Sequence, residues 1–90
     1  MITEHAICAL PASHRDWRHF AIKVQRRGNS NDWVLNWGGL YYAGDGDWLA
    51  SIGDAFEYAE VDALWMAEVL APQLEVSGIT VAEALERGTR

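Results

Sequence analysis

A chain of ninety residues with a formal net charge of −6 and a single cysteine is tightly bounded in what it can be. That length makes one domain with a small core, since a chain of this size hides only about two thirds of its unfolded surface, and no apolar run approaches the ~20 residues that span a bilayer. Half of the residues are apolar and five are tryptophan, which excludes a disordered or linker class.

The lone Cys8 has no internal disulfide partner, and Glu4 and His5, not Lys or Arg, precede the short apolar patch near the N-terminus. Both features point to a cytoplasmic chain without a secretory leader. The charge is unevenly spread. Five of the seven basic residues (Arg15, Arg18, Lys23, Arg26 and Arg27) fall within residues 15–27, whereas eleven acids and no Lys or Arg occupy residues 28–86. This division predicts one acidic face with a fairly continuous negative potential, serving either solubility or a partner.

Taken in order, residues 1–14 are ambiguous. Ile2, Ala6, Ile7, Ala9 and Leu10 suit one or two helical turns or an edge strand, ended by Pro11. From Arg15 the pattern has period two, with Phe20, Ile22 and Val24 facing one way and His19, Lys23, Gln25 and Arg27 the other. The turn cluster of residues 28–32 then leads to a second strand, Trp33-Val34-Leu35-Asn36-Trp37, in a hairpin with the first. Trp33, Leu35 and Trp37 are its core side. Gly38-Gly39 breaks or bulges the ladder, and Leu40 to Tyr42 resumes as a third short strand. Asp45-Gly46 signals a turn, after which Trp48 to Ile52 is open between strand and loop.

The main helix is expected from near Ala59 to Ala71, where the following Pro72 stops it. An earlier start, capped by Asp54 with Glu57, is the rival reading. Ala59, Ala63, Met66, Ala67 and Leu70 form the stripe expected against the sheet, and Val61, Trp65 and Val69 form a second apolar row flanked by Asp62 and Glu68. Leu74 to Val76 is an extended piece, Ser77-Gly78 a turn, and Thr80 with Glu83 a capping box for a terminal helix. The predicted fold is a single α+β domain over residues 1–90: a small antiparallel sheet of three to four strands packed by one main helix, plus a short C-terminal helix. Phe20, Ile22, Leu35, Met66 and Leu70 are its expected most buried side chains.

Candidate chemistry is sparse. His5, Cys8, His14 and His19 are a set that zinc accepts, but they lack the paired spacing of structural sites, so no metal ligands are assigned. Asp45-Gly46-Asp47 starts like a calcium loop, yet Phe56 stands where the terminal glutamate belongs. No glycine-rich phosphate loop or nucleophile elbow is present, and a 90-residue chain leaves little room for a pocket, so no catalytic or cofactor residue is assigned and no enzyme activity is expected. Arg15, Trp17, Lys23 and Arg27 read as one strand face combining charge with an aromatic ring, a platform for single-stranded nucleic acid, although the overall negative charge opposes direct nucleic-acid binding.

A compact, acidic single domain without a catalytic motif resembles the small inhibitor proteins of phages and mobile elements, anti-CRISPR and other nucleic-acid-mimic inhibitors among them. The resemblance is one of size, acidity and absent motifs. It implies docking on a larger protein or nucleoprotein complex with a basic nucleic-acid channel, through Val61, Trp65, Val69, Asp62 and Glu68 on the helix and Asp45, Asp47 and Asp54 before it. The alternatives are a homodimeric module joined through the Trp65 helix face, and a small metal or nucleic-acid binder built on the N-terminal His and Arg residues.

Overall fold

A computed structural model describes residues 3–87; the sequence expectation for Ile2 lies outside the described residues. Five strands form one antiparallel meander in chain order: β1 (Glu4–Ile7), β2 (Ile22–Arg26), β3 (Trp33–Trp37), β4 (Leu40–Gly44) and β5 (Asp47–Leu49). A short helix, α1 (Trp17–Phe20), sits between β1 and β2. The main helix α2 (Glu60–Leu70) follows the sheet, then a two-stranded hairpin of β6 (Glu75–Val76) and β7 (Ile79–Thr80), then α3 (Val81–Arg87). The α+β class holds, but the sheet has five strands rather than three or four. The extra pair are the two stretches left open by pattern alone. Glu4–Ile7 pairs with β2 from Glu4↔Gln25 to Ile7↔Ile22, and Asp47–Leu49 folds back on β4.

Turn chemistry explains the meander. Arg27 donates its backbone N–H to the Asp32 carbonyl at 2.8 Å, closing the β2–β3 loop, and the Ser30 hydroxyl donates to the Arg27 carbonyl at 2.7 Å. Gly38 and Gly39 neither break nor bulge the ladder. Both lie at positive φ (59° and 88°) between the paired Trp37 and Leu40, the two-residue turn whose twist matches flanking strands. A further correction concerns residues 15–20. The strand starts at Ile22, because successive turns (Trp17 N–H to His14 O, His19 N–H to Asp16 O) wind the chain into α1 first. Phe20 keeps its inward direction through that change.

The core lies between one sheet face and α2. Ile22, Val24 and Leu35 are completely buried, and Phe20, Trp33 and Tyr42 nearly so. Each such aliphatic side chain removed from water contributes roughly 1.5–3 kcal/mol before entropy is counted. Opposite them α2 presents Ala63 and Ala67, both fully buried. Alanine at these two positions lets the helix axis come close to β2 and β3, as layered packing requires. Met66 and Leu70 are therefore only half-buried, not fully buried as the periodicity suggested: the stripe is centred on Ala63–Ala67, and they flank it. Trp37 is likewise half-buried, at the rim of the core, with its indole N–H donated to the His19 carbonyl at 2.9 Å.

The helix boundaries follow the later-start reading. Ala59 is extended (φ −66°, ψ 156°) and its carbonyl accepts from Ala63 N–H at 2.9 Å, while Ala71-Pro72-Gln73 continues as a 3-10 turn. Asp54 does not cap α2. It closes a separate 3-10 turn, Ile52–Asp54, whose Ser51 hydroxyl accepts from Gly53 N–H at 3.2 Å. At the C-terminal end the capping box forms as expected: Glu83 N–H donates to the Thr80 hydroxyl (3.2 Å), and a Glu83 carboxylate oxygen accepts from Thr80 N–H (3.0 Å). The Thr80 N–H and the Thr80 hydroxyl, which also donates to that carboxylate at 3.1 Å, hold the Glu83 carboxyl below its ordinary value. Among the described residues, no helix is long and apolar enough to cross a membrane.

Candidate protein-binding face

Each turn of α2 that buries an alanine exposes the residue on the other side. Counting about 100° per residue, Trp65 lies about 180° from the midpoint between Ala63 and Ala67. A single sheet covers one side of a helix, and among the described residues nothing else is laid over the other. Val61 is 72 % and Trp65 62 % exposed, one turn apart, with Val69 exposed beyond them. Asp62 and Glu68 flank the row, both exposed and without a hydrogen-bonded or ionic partner among the described residues. The helix carries no basic residue.

Glu60 has a different role. Its carboxylate meets His5 Nε2 at 2.7 Å, tying the first turn of α2 to edge strand β1, where the His5 ring lies 5.5 Å from the Trp33 ring. An acid in the first turn also complements the positive end of the helix. The base of the face is thereby anchored, while Val61, Asp62, Trp65 and Glu68 stay free.

The other candidate acids lie elsewhere. Asp45 and Asp47 bracket the β4–β5 turn, with Asp45 at φ 54°, and Gly46 N–H donates to the Tyr42 hydroxyl at 3.1 Å. Asp54 ends the 3-10 turn. The helix packs chiefly on β1, β2 and β3, so these three acids occupy the opposite edge of the sheet, and the charge forms two groups joined by the segment 55–59. The same stretch of chain exposes apolar side chains that sequence reasoning did not assign to a site: Leu49, Ile52 and Phe56 are exposed, Phe56 by 52 %. Phe56 N–H donates to the Tyr42 carbonyl, and Tyr58 exchanges two backbone bonds with Trp33 at 2.8 and 2.9 Å. That path turns the Phe56 ring outward, where it packs at a tilt against Tyr58 with ring centres 4.7 Å apart. A long-range bridge of this kind leaves no local signal.

The N-terminal candidates separate. His14 accepts from Asp16 N–H through Nδ1 (2.9 Å) and so donates from Nε2 to the Ala84 carbonyl (2.7 Å), pinning α3 to the loop before α1. The Cys8 thiol donates to the Trp17 carbonyl and accepts from Leu10 N–H; burial pushes its pKa up, which makes it a poor nucleophile. Among the described residues, no three His, Cys, Asp or Glu side chains gather as metal ligands. The proposed strand face of Arg15, Trp17, Lys23 and Arg27 also divides: Arg27 is paired with Glu57 at 2.7 Å and Arg15 sits beside Asp16. Trp17 and Lys23, with Arg18, line one groove.

In comparisons with protein-family models, curated proteins and solved structures, none matched the chain.

Proposed function

We propose that the protein is a binding module that docks through the outer face of α2 on a basic surface of a larger protein or nucleoprotein complex. The observation carrying this reading is the exposed Val61–Trp65 pair on a helix whose only charged side chains are acids. An exposed tryptophan on a rigid helix, rimmed by carboxylates, combines an anchor with a charged surround, as interface centres do. Where the basic surface is a nucleic-acid channel, Asp62 and Glu68 stand in for phosphates and the protein acts as a competitive inhibitor, in the manner of phage-type nucleic-acid mimics.

The same face argues against a two-fold dimer as the main state. An isologous contact would bring Asp62 and Glu68 of both copies together with no base on α2 to offset them, and like charges so placed cost several kcal/mol. Salt separates the two readings: it screens that repulsion and strengthens a dimer, whereas it weakens attraction to a basic partner. Affinity capture from the native host, with wild type and Trp65→Ala side by side, tests the proposal. The wild type should retain a basic protein that is lost on Trp65→Ala and at high salt. Equal retention by both, or a dimer by light scattering that tightens with salt, overturns it.

A further inference from the structure

The sheet face turned away from α2 carries a groove of about 490 Å³. Lys23 and Asn36 are directly paired across β2 and β3, and Ala6 of β1 stands beside them in register, so one row across three strands floors it. Trp17 and Arg18 of α1 form one wall, and the Gly38–Gly39 turn the other. Neither glycine would meet any atom if given a Cβ, so the turn backbone lies open at the groove mouth. Asn36 is held in place: its Oδ1 accepts from Gly39 N–H (3.1 Å), and its amide donates one hydrogen to Gln25 (3.2 Å), leaving the second.

The groove gathers two basic side chains, Arg18 and Lys23. The arginines Arg15 and Arg27 have carboxylate neighbours, but Arg18 and Lys23 have none within 4.0 Å among the described residues. Glu4, at the far rim, is turned to Gln25, whose amide donates to it at 3.0 Å. Two unneutralised cations and one indole thus line a hollow of small-ligand size.

We infer that this groove binds a nucleotide-sized anion, a flat heterocycle carrying a phosphate. The heterocycle lies against Trp17, and the phosphate sits between Arg18 and Lys23. A guanidinium fork matches phosphate oxygens in pairs, an ammonium adds a point charge, and an indole offers a stacking surface to a base. The net charge of −6 favours a single nucleotide over a polymer, because each further phosphate meets the acidic remainder of the protein. This site is independent of the α2 face, being on the other side of the sheet.

The test is a titration of the 15N-labelled full chain with adenosine 5′-monophosphate, with adenosine and inorganic phosphate as separate arms. The nucleotide should give saturable shifts at the Lys23, Asn36, Gly38 and Gly39 amides and the Trp17 indole N–H, with a Kd of about 1 mM or tighter. Adenosine and phosphate should each bind about tenfold or more weakly, and Arg18→Gln with Lys23→Gln should weaken the nucleotide by a similar factor without changing the melting temperature. Phosphate binding as tightly as the nucleotide overturns the heterocycle assignment. No saturable shift overturns the site, and so do concentration-dependent shifts of these amides without ligand, which would give the groove to the acidic helix of a second copy.

Discussion

Replacing Trp65 with alanine separates a docking face from a core with unusual clarity, because the two predict opposite orderings of effects. At 62 % exposure, roughly 150 Å² of a residue with about 250 Å² of surface lies open to water. The covered remainder, ~100 Å², sets an upper limit of ~2.5 kcal/mol on the folding cost at about 25 cal/mol/Å². The main chain and Cβ stay in the variant, so the cost falls nearer 1 kcal/mol, which lowers the melting temperature of a domain this size by about 4–8 °C. Phe20→Ala, which empties a site only 2 % exposed, should cost ~3–5 kcal/mol and bring a marginal domain close to unfolding. On the binding side, the open 150 Å² represents ~4 kcal/mol of gross burial, of which a hot-spot tryptophan delivers about 2 or more, a roughly 30-fold rise in Kd. Circular-dichroism melts of both variants, with affinity for the captured partner, read out both quantities. A Trp65→Ala melt displaced as far as that of Phe20→Ala would refute the reasoning.

Three further outcomes follow from the same geometry. Ala67→Leu forces extra methylenes between α2 and the sheet and should destabilise by about 1–3 kcal/mol in denaturant titration, although leucine is apolar and a good helix former. Replacing Asp45, Asp47 and Asp54 together with Asn should leave the melting temperature nearly unchanged, since all are exposed, while slowing association with the basic partner and flattening its salt dependence in stopped-flow measurements. Thr80→Ala should cost ~1 kcal/mol through the lost cap. The Glu83 carboxyl is held below its ordinary 4.5, so its contribution is present above that value and fades as pH falls through the lowered folded one; melts of Glu83→Gln should therefore differ from wild type at pH 7 and converge with it in acid.

Local pattern carried much of this fold. The alternation of Phe20, Ile22 and Val24 fixes the inward face, Pro72 stops the main helix, and Thr80 with Glu83 starts the last one, because each is decided by residues a few positions apart. Helical phase alone opposes Trp65 to Ala63 and Ala67, but whether the N-terminal segment or the C-terminal helix covers that row was not legible in the sequence. What pattern did not carry depends on distant contacts. Glu4–Ile7 becomes a strand only because β2 offers a free edge, and Trp48 finds its place by folding back on Tyr42, with ring centres 5.1 Å apart. Phe56 points outward because Tyr58 bridges to Trp33, and Trp17 and Lys23 share a groove only because α1 winds up immediately before β2. The half-burial of Met66 and Leu70 has a similar origin: periodicity gives the direction of a stripe, but the alanines at its centre set how near the sheet can come.

The docking role of the α2 face is tested most directly by a photo-crosslinking residue placed at position 61, next to Trp65, and at position 82 on the exposed side of α3 as a control. In the native host, position 61 should label a single basic protein that position 82 does not, and adding Trp65→Ala should abolish the product. Equal labelling from the two positions, or a position-61 product that survives Trp65→Ala, would contradict a docking site on this helix.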